Sequence, residues 1–489
     1  MARALEISRR SLIGGGLAIT GTWLLGGCVP ARTRSGPDGA SLQPTMPYPT
    51  PPRLAPAAGG TVVEKTLRAA PTTVDLGGLL VDTWAYSDVM PGPGLDARVG
   101  DLLRITLDNQ LPADTSLHWH GLALPNGVDG VPGMTQNSIA PGGRHLYEFV
   151  AQRPGTYLYG AHVGVQLDRG LYASLTIADP AEPGDYDDEW IVVLDDWVDG
   201  TGRTPDDVLR ALTATRPTTS AQTGSTSTAP FGDPGRVNYP YYLVNGALPA
   251  APVSYRGRPG RRLRLRVINA ASDTIFTLAV GGHRLTVTHA DGFRVAPRET
   301  AALHIGQGER YDLLVNLGDG VFPLVARPWR RPGQAMALIR TTTGMAPAVG
   351  RLPEFTKPVL QATELTPDDS ARLPGRPTDV FARLRLGGQA DPYGWTINGA
   401  PFGRNNPITV FQGQRLQLDV TNATTSAHPL HLHGHTMAMP NGLRKDTVLI
   451  PPSTTIPLQL DATNPGAWSI HCQNPYHAET GMAIALEYR

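Results

Sequence analysis

One pattern occurs three times in this chain and restricts what it can fold into. A glycine is followed by apolar residues three, five and seven places later and by an asparagine nine places later, in GDLLRITLDN from Gly100, GRRLRLRVIN from Gly260 and GQRLQLDVTN from Gly413. Such alternation predicts a half-buried β-strand, with one face on a core and the other in water. Three copies predict three similar β-domains. We place these domains at residues 61–180, 187–345 and 355–489.

The size and composition of the chain agree with this organisation. The 489 residues suffice for about three domains of ordinary size. The chain contains 55 Gly and 46 Pro and no long stretch with the 3.6-residue period of an amphipathic helix, which predicts an all-β, turn-rich fold. The formal net charge is zero, which argues against nucleic acid as a partner, because such binders carry a basic excess.

The N-terminus is typical of an export signal. SRRSL at residues 8–12 is a twin-arginine type of start, and an apolar, glycine-rich run follows it. The alternative is a membrane anchor, but a span needs roughly 20 apolar residues and this run is shorter. LGGC, which ends at Cys28, resembles a lipoprotein processing site. We therefore predict a signal over residues 1–28, a flexible tether over 29–60, and a lipid on Cys28 that holds the protein on the outer face of the cytoplasmic membrane.

The chain contains two cysteines, Cys28 and Cys472. Exported proteins commonly use cysteines in disulfides, and here no pair remains once Cys28 is assigned to the lipid. The thiol of Cys472 is therefore expected to have a chemical use of its own.

Histidines stand at matching places in two of the three repeats. They lie eighteen and twenty residues after the repeat glycine in the first and third copies, where the middle copy has apolar residues. The histidines are His118, His120, His431 and His433, and the apolar residues are Leu278 and Val280. Residues two apart on a strand point to the same side. We therefore predict a metal cluster shared between the first and third domains, with the middle domain as a spacer.

A second pair of stretches aligns in the same two domains. PGTYLYGAH from Pro154 matches PGAWSIHCQ from Pro465, so that Gly160 falls on His471 and His162 falls on Gln473. Each copy keeps one histidine of a His-x-His pair, and the two copies have lost opposite members.

A third constellation combines His428, Cys472, His477 and Met482. Two imidazoles, a thiolate and a weak thioether are the ligand set of a blue-copper electron-transfer site, because soft sulfur stabilises Cu(I) while imidazole suits both oxidation states. Zinc also binds two histidines and a cysteine, but a methionine at this spacing favours copper.

These motifs, in this order, resemble those of three-domain multicopper oxidases of the laccase and cuprous oxidase kind, and the resemblance covers the chain after the tether. It implies three cupredoxin-like domains, each a Greek-key β-sandwich. It also implies that a small-molecule or metal-ion reductant gives single electrons to a type 1 copper, and that these electrons pass to an interdomain copper cluster where O2 is reduced to water.

The resemblance further implies which residues hold each copper. The type 1 ligands would be His428, Cys472, His477 and Met482, the type 2 ligands His118 and His431, and the ligands of one type 3 copper His162, His433 and His471. The other type 3 copper would need His120 and histidines where Gly160 and Gln473 stand. Glycine has no donor and an amide oxygen matches Cu(I) poorly, so we expect this one copper to be missing.

Two acidic residues also match the family. Asp129 in NGVDG resembles the acid beside the cluster, which helps to deliver protons; a solvated turn residue is the alternative. Asp446 in RKDTV resembles a carboxylate near the type 1 ligands, which would orient a histidine. The resemblance implies that Cys472 passes electrons to the cluster through His471.

Two functions stay open at this point. One is an exported oxidase that still reduces O2, with phenols, Cu(I), Fe(II) or Mn(II) as reductant. The other is a copper-binding or electron-transfer lipoprotein that kept its type 1 site and gave up oxygen chemistry. A structural relative without copper is disfavoured, because all four type 1 ligands remain beside both type 2 ligands.

Overall fold

Strands dominate the computed structural model, as predicted for an all-β chain. The structure describes residues 54–179, 181–182, 184–214, 229–347, 352–390 and 392–489. The predicted signal, Cys28 and the tether up to residue 53 lie outside these residues. None of the described helices is long and apolar enough to cross a membrane. These are two short α-helices, α1 (Pro205–Ala214) and α2 (Pro475–Glu479), and 3-10 turns at Asn126–Val128, Gln166–Arg169, Pro353–Thr356, Ala362–Glu364 and Asp369–Ala371.

The first sandwich consists of two four-stranded sheets around one apolar core. Its strands are β1 (Val62–Asp75), β2 (Leu80–Tyr86), β3 (Leu95–Arg98), β4 (Leu102–Asn109), β5 (His118–His120), β6 (Arg144–Val150), β7 (Gly155–Gly160) and β8 (Tyr172–Ala178). One sheet has the order β2-β1-β4-β6 and the other β3-β8-β7-β5. Strand β5, which carries the first histidine pair, is therefore an edge strand.

The second sandwich has two six-stranded sheets. Its strands are β9 (Asp188–Trp197), β10 (Tyr241–Val244), β11 (Ser254–Arg256), β12 (Arg262–Asn269), β13 (Phe276–Val280), β14 (Leu285–Ala290), β15 (Phe293–Thr300), β16 (Ala302–Ile305), β17 (Arg310–Asn316), β18 (Val321–Pro328), β19 (Ala335–Arg340) and β20 (Val359–Leu360). The orders are β10-β9-β12-β17-β14-β15 and β11-β19-β18-β13-β16-β20. Leu278 and Val280, which replace the histidines here, are fully buried on β13.

The third sandwich has a six-stranded and a five-stranded sheet. Its strands are β21 (Val380–Ala390), β22 (Tyr393–Ile397), β23 (Ile408–Val410), β24 (Arg415–Asn422), β25 (His428–Leu432), β26 (Met437–Ala438), β27 (Arg444–Lys445), β28 (Thr447–Ile450), β29 (Thr455–Asp461), β30 (Ala467–Cys472) and β31 (Ala483–Tyr488). The orders are β22-β21-β24-β29-β26-β27 and β23-β31-β30-β25-β28. Strands β25 and β30 are neighbours, which brings His431 opposite His471.

The repeated sequence forms the same strand in each sandwich. Strands β4, β12 and β24 each pair in parallel with the first strand of their own sandwich and antiparallel with a later one. The asparagines that end them are fully buried. Asn269, for example, donates from Nδ2 to the carbonyls of Thr274 and Ile305, at 2.9 and 3.0 Å, and accepts from the Ala271 amide. Asn109 and Asn422 make the equivalent three bonds. The repeat asparagine therefore closes the loop after its strand.

The prediction that one face of the repeat strand meets water is wrong for β12. Arg264 and Arg266 project from that face, yet both are buried. Their guanidinium groups lie 2.6 and 3.3 Å from Asp312 Oδ2, and Thr156 of the first sandwich donates to Asp312 Oδ1 at 2.8 Å. Alternation in the sequence cannot distinguish a face in water from one covered by a neighbouring domain, where paired charges replace solvent.

Candidate metal centre

The two predicted histidine pairs meet between the first and third sandwiches. The rings of His118 and His433 stack with centroids 3.9 Å apart, and those of His120 and His431 stack at the same distance. All four are buried. Strand β5 and strand β25 with the turn after it therefore bring the pairs together, and the middle sandwich contributes no histidine to this group.

Hydrogen bonds fix which nitrogen of each ring faces the centre. His118 Nδ1 lies 2.9 Å from the Asp129 carbonyl oxygen, and His431 Nδ1 lies 3.0 Å from that of Asp446. A carbonyl oxygen can only accept a hydrogen bond, so each Nδ1 carries the proton and each Nε2 has a free lone pair. Both Nε2 atoms are buried and have no hydrogen-bond partner. This is the arrangement of metal-binding histidines, whose other ring nitrogen is held by an oxygen.

A second group contains His162, His433 and His471, whose ligand atoms lie within 4.8 Å of one another. His433 Nδ1 donates to Asp129 Oδ2 at 2.9 Å, and His471 Nδ1 donates to the Cys472 carbonyl at 2.8 Å. Both Nε2 atoms are therefore unprotonated, and the two atoms face each other at a distance of 2.9 Å. Burial lowers the pKa of His433 to about 3, so a shared proton is unfavourable there. A metal cation satisfies both nitrogens, and the buried, unpartnered Nε2 of His162 completes the set.

Asp129 is part of this centre and not a solvated turn residue. It is buried, with one carboxylate oxygen 2.9 Å from His433 Nδ1 and the other 3.3 Å from His118 Nδ1. Burial by itself would raise the pKa of Asp129, but His433 and His118 outweigh it and hold the pKa far below its usual range. The carboxylate therefore stays ionised and orients one histidine from each pair.

The third possible metal position in the centre, which is the one predicted for the second type 3 copper, has an incomplete set of ligands. His120 Nε2 lies 3.0 Å from the Gly308 carbonyl, which leaves a buried and unpartnered Nδ1. Gly160 ends β7 without a side chain, and the Oε1 of Gln473 is buried without a partner. All three line a cavity of about 60 Å³, together with Leu167. Apart from the histidines assigned to the other coppers, the described lining offers a fourth metal the His120 imidazole, the Gln473 amide oxygen and the Glu479 carboxylate. One imidazole with hard oxygen donors fits Cu(I) poorly.

Cys472 lies at a separate site with His428 and His477. The two Nδ1 atoms are 3.1 Å apart, and Cys472 Sγ lies 3.4 Å from His477 Nδ1 and 3.7 Å from His428 Nδ1. Burial raises the pKa of the Cys472 thiol and lowers that of His428 to about 3. Without a metal ion, the two histidines and the thiol of this pocket stay uncharged. A bound soft metal would favour the deprotonated thiolate form of Cys472.

The loop after Cys472 presents the remaining ligands. Asn474 caps α2 by accepting from the amides of Tyr476 and His477, and Pro475 starts the helix. Met482 is buried, its amide donates to the His477 carbonyl at 2.9 Å, and its carbonyl accepts from the Cys472 amide at 3.0 Å. The backbone therefore holds Cys472, His477 and Met482 in one tight loop.

Asp446 is not where the resemblance placed it. Its carboxylate lies beside His120 and His431, at 3.4 and 3.6 Å, and not beside the type 1 residues. It forms a two-pronged ion pair with Arg310, at 2.6 and 2.7 Å, and both residues are fully buried. A Cβ on Gly121 would lie 2.4 Å from this guanidinium, which explains the glycine after the first histidine pair.

Sequence motifs do not point to some of the residues that shape these sites. Gly308 and Thr447 hold His120, and Trp395 covers His477 with ring centroids 4.2 Å apart. Gly308 and Trp395 belong to none of the motifs, and Thr447 stands in RKDTV only as the neighbour of Asp446. Asn474-Pro475 does have a helix-start signature, which could have predicted α2.

Three cupredoxin-like sandwiches with histidine sites between the first and third define a protein class of copper redox proteins. Family models described as multicopper oxidase match residues 69–182, 188–346 and 376–489. The chain belongs to the multicopper oxidase family.

Similar proteins support the assignment. Multicopper oxidase MmcO of Mycobacterium tuberculosis is 42% identical over 99% of this chain and 97% of its own. A copper resistance protein A homolog of Pseudomonas syringae pv. tomato is 27% identical over 86% of this chain and 91% of its own. The crystal structure of Fet3p, a multicopper oxidase that functions in iron import, covers 87% of this chain and 90% of its own at 20% identity, with a TM-score of 0.76, and shows the same fold.

Proposed function

We propose that this protein takes single electrons from a phenolic or metal-ion reductant at a type 1 copper and passes them to O2 at an interdomain copper cluster that lacks one type 3 copper. The observation that carries this proposal is the pair of facing lone pairs on His433 and His471, 2.9 Å apart, which only a cation relieves. Bound copper would supply the one-electron redox chemistry, and the donor sets of the Cys472 site, of His118 with His431 and of His162 with His433 and His471 suit it.

The protein's own residues connect the two sites. Cys472 and His471 are chain neighbours on β30, so one backbone segment links the thiol to the cluster. Asp129 fixes the tautomers of His118 and His433 and contributes the negative charge beside them. We assign Asp129 and Cys472 as the residues on which turnover depends most, besides the histidines.

A second function, copper binding or electron transfer without O2 reduction, is favoured by the third place in the centre. There Gly160 and Gln473 leave His120 as the one imidazole of that ligand set, because the other histidines of the cavity belong to the predicted ligand sets of the other coppers. Two-metal sites work by letting each metal take one end of the reacting group, so a lost type 3 copper bears directly on oxygen chemistry. The Cys472 site is unaffected by this loss, and its redox activity should survive.

The comparisons support classes of reductant, and they do not point to one particular compound. The name of the copper resistance protein homolog is consistent with a metal-ion substrate, and the laccase-like relatives favour phenols. Only Met437 and Met439 cluster in the stretch before the ligand loop, and both are buried, so they offer no exposed sulfur surface for cuprous ions.

The test is copper content and oxygen uptake on one sample. Copper-loaded protein should hold three coppers per chain, and it should consume O2 with an easy one-electron donor. The matched control is Cys472→Ser, which should keep the cluster coppers and lose the uptake. Four coppers would contradict the missing site, while a blue protein without uptake would favour the electron-transfer function.

We also propose export by the twin-arginine route and lipid attachment at Cys28, which the sequence alone supports. Mass spectrometry of the N-terminus of membrane-fraction protein tests this, with Cys28→Ser as control. A soluble, unprocessed wild-type chain would contradict it.

A further inference from the structure

Two openings lie near His477, and they differ in size and charge. The first is a cavity of about 20 Å³ lined by His477 itself and by charged side chains such as Asp273 and Arg331. It has room for one or two water molecules and none for an aromatic ring. The second is an open cleft of about 560 Å³, a size that suits a small organic molecule.

Two aromatic side chains lie between the cleft and the histidines of the type 1 site. Tyr393 and Trp395 of β22 line it, whereas His477 does not. The Trp395 ring lies 4.2 Å from the His477 ring and 5.0 Å from the His428 ring, centroid to centroid, and Tyr393 packs on Trp395 at 5.7 Å. The indole therefore stands between the cleft and both histidines.

Backbone contacts hold this indole in place. The Trp395 amide donates to the Thr480 carbonyl at 3.2 Å, which ties β22 to the ligand loop. A Cβ on Gly481 would lie 2.4 Å from the Trp395 carbonyl oxygen, so the strand and loop touch without a spacer. Trp395 and Tyr393 are both buried in the floor of the cleft. The contact of Trp395 with His477 is thus built into the fold.

The lining indicates what docks there. The described residues around the cleft are Gly388, Gln389, Pro392, Tyr393, Gly394, Trp395, Thr396, Pro401 and Thr480. None of these carries a charge or a sulfur atom, so they offer no ligand set for a metal ion. Two aromatic rings and glycine-rich walls suit a flat, neutral ring.

We propose that electrons from a docked reductant enter the Cys472 site through Trp395, and that the cleft beside it docks a neutral phenol or hydroquinone. The inference rests on the proposed function. With copper(II) held by His428, Cys472 and His477, a docked hydroquinone would lose one electron through Trp395 to that site, reducing it to copper(I), and one hydroxyl proton to solvent in the open cleft. It leaves as a semiquinone, and two semiquinones disproportionate to quinone and hydroquinone.

Docking is tested on copper-free protein. Protein labelled with 5-fluorotryptophan is titrated with phenol, and the Trp395 signal is assigned by its loss in Trp395→Phe. We expect a saturable shift of this signal, with the Trp190 signal, from the stacked Trp190–Tyr255 pair of the second sandwich, unmoved. No shift, or a shift with benzylamine as large as that with phenol, would overturn the choice of a neutral ring.

Electron entry is tested by anaerobic bleaching of the blue absorption. Trp395→Leu should keep the blue spectrum but react about tenfold more slowly with hydroquinone. Ferrocyanide is highly charged, so it does not dock in the neutral cleft and transfers its electron without Trp395. It should therefore bleach wild type and variant within about twofold of each other. Trp190→Leu is the matched control. Equal hydroquinone rates in wild type and Trp395→Leu would refute the role of Trp395.

A failure of the proposed function and a failure of the inference about Trp395 give different experimental results. A wild-type protein that forms no blue site contradicts the proposed function and with it electron entry through Trp395, while the phenol titration still decides docking. A blue Trp395→Leu protein that bleaches normally contradicts only the inference.

Discussion

Histidines can be introduced at positions 160 and 473 to ask whether missing ligands alone exclude a fourth copper. A Cβ at position 160 would lie 2.6 Å from Leu167 Cδ1 and 3.0 Å from the Leu171 carbonyl oxygen. That oxygen accepts from the Ala161 amide at 2.9 Å, and its contact with the new Cβ needs a shift of only a few tenths of an ångström, so Leu167 is the main obstacle. Overpacking of this kind costs about 1–3 kcal/mol.

The clash also decides whether the new ligand can bind. Metal ligands must sit within about 0.2 Å of their ideal distances, whereas relief of a 2.6 Å contact moves side chains by more than that. We therefore expect Gly160→His with Gln473→His to hold three coppers and to unfold at lower temperature. Adding Leu167→Ala removes the closest contact, and this triple variant should hold four.

Copper analysis with electron paramagnetic resonance checks the result. Isolated Cu(II) ions are all detected, whereas two Cu(II) ions held close together couple their spins and are not. The triple variant should show a smaller share of its bound copper in the signal than wild type does. Gln473→His alone is the control and should behave as wild type. Four coppers in the variant that keeps Leu167 would refute the steric reasoning.

Three further predictions follow from other parts of the molecule. Asn269→Ala leaves two buried carbonyls and one amide without their partner, which should destabilise the second sandwich by about 2–4 kcal/mol and lower its urea midpoint, whereas Asn137→Ala on the surface should not. Arg310→Met leaves Asp446 buried without its cation and should cost about 3–5 kcal/mol; a smaller loss than that of exposed Arg210→Met would contradict the buried ion pair. Burial lowers the pKa of His428 and His433 to about 3 and of His120 to about 4, while the unfolded chain takes up these protons near pH 6.5, so each of these histidines lowers the stability of copper-free protein as the pH falls from 7 to 5. Asp273, whose pKa burial raises to about 7, acts in the opposite direction. The substitution His428→Phe should therefore make the midpoint of thermal unfolding fall less, or rise more, between pH 7 and pH 5 than in wild type, and the same change of midpoint in both proteins would contradict this.

The local patterns of the sequence predicted what local geometry determines. The repeat predicted β4, β12 and β24, because alternation and a turn glycine are properties of a single strand. The histidine spacing predicted two pairs on one side of their strands, and both lie in the interdomain centre.

What the sequence could not predict depends on partners from other domains. The burial of Arg264 and Arg266 follows from packing of the second sandwich against the first. Asp446 was assigned to the wrong site because a short motif does not say which side of a strand faces which neighbour. Trp395 was missed for a similar reason: β22 meets the ligand loop only in the folded chain.

The departures at Gly160 and Gln473 are best understood as one change, because both residues face one cavity with Leu167. His120 is the member of that ligand set that remains, and its contacts explain why. Its ring stacks on His431 at 3.9 Å, and its Nε2 lies 3.0 Å from Gly308 O and 3.1 Å from Thr447 Oγ1. It therefore joins all three sandwiches and orients a ligand of another copper. The residues at positions 160 and 473 do not make interdomain contacts of this kind. Once the copper is no longer bound, these two positions can therefore change, whereas His120 is retained for its contacts.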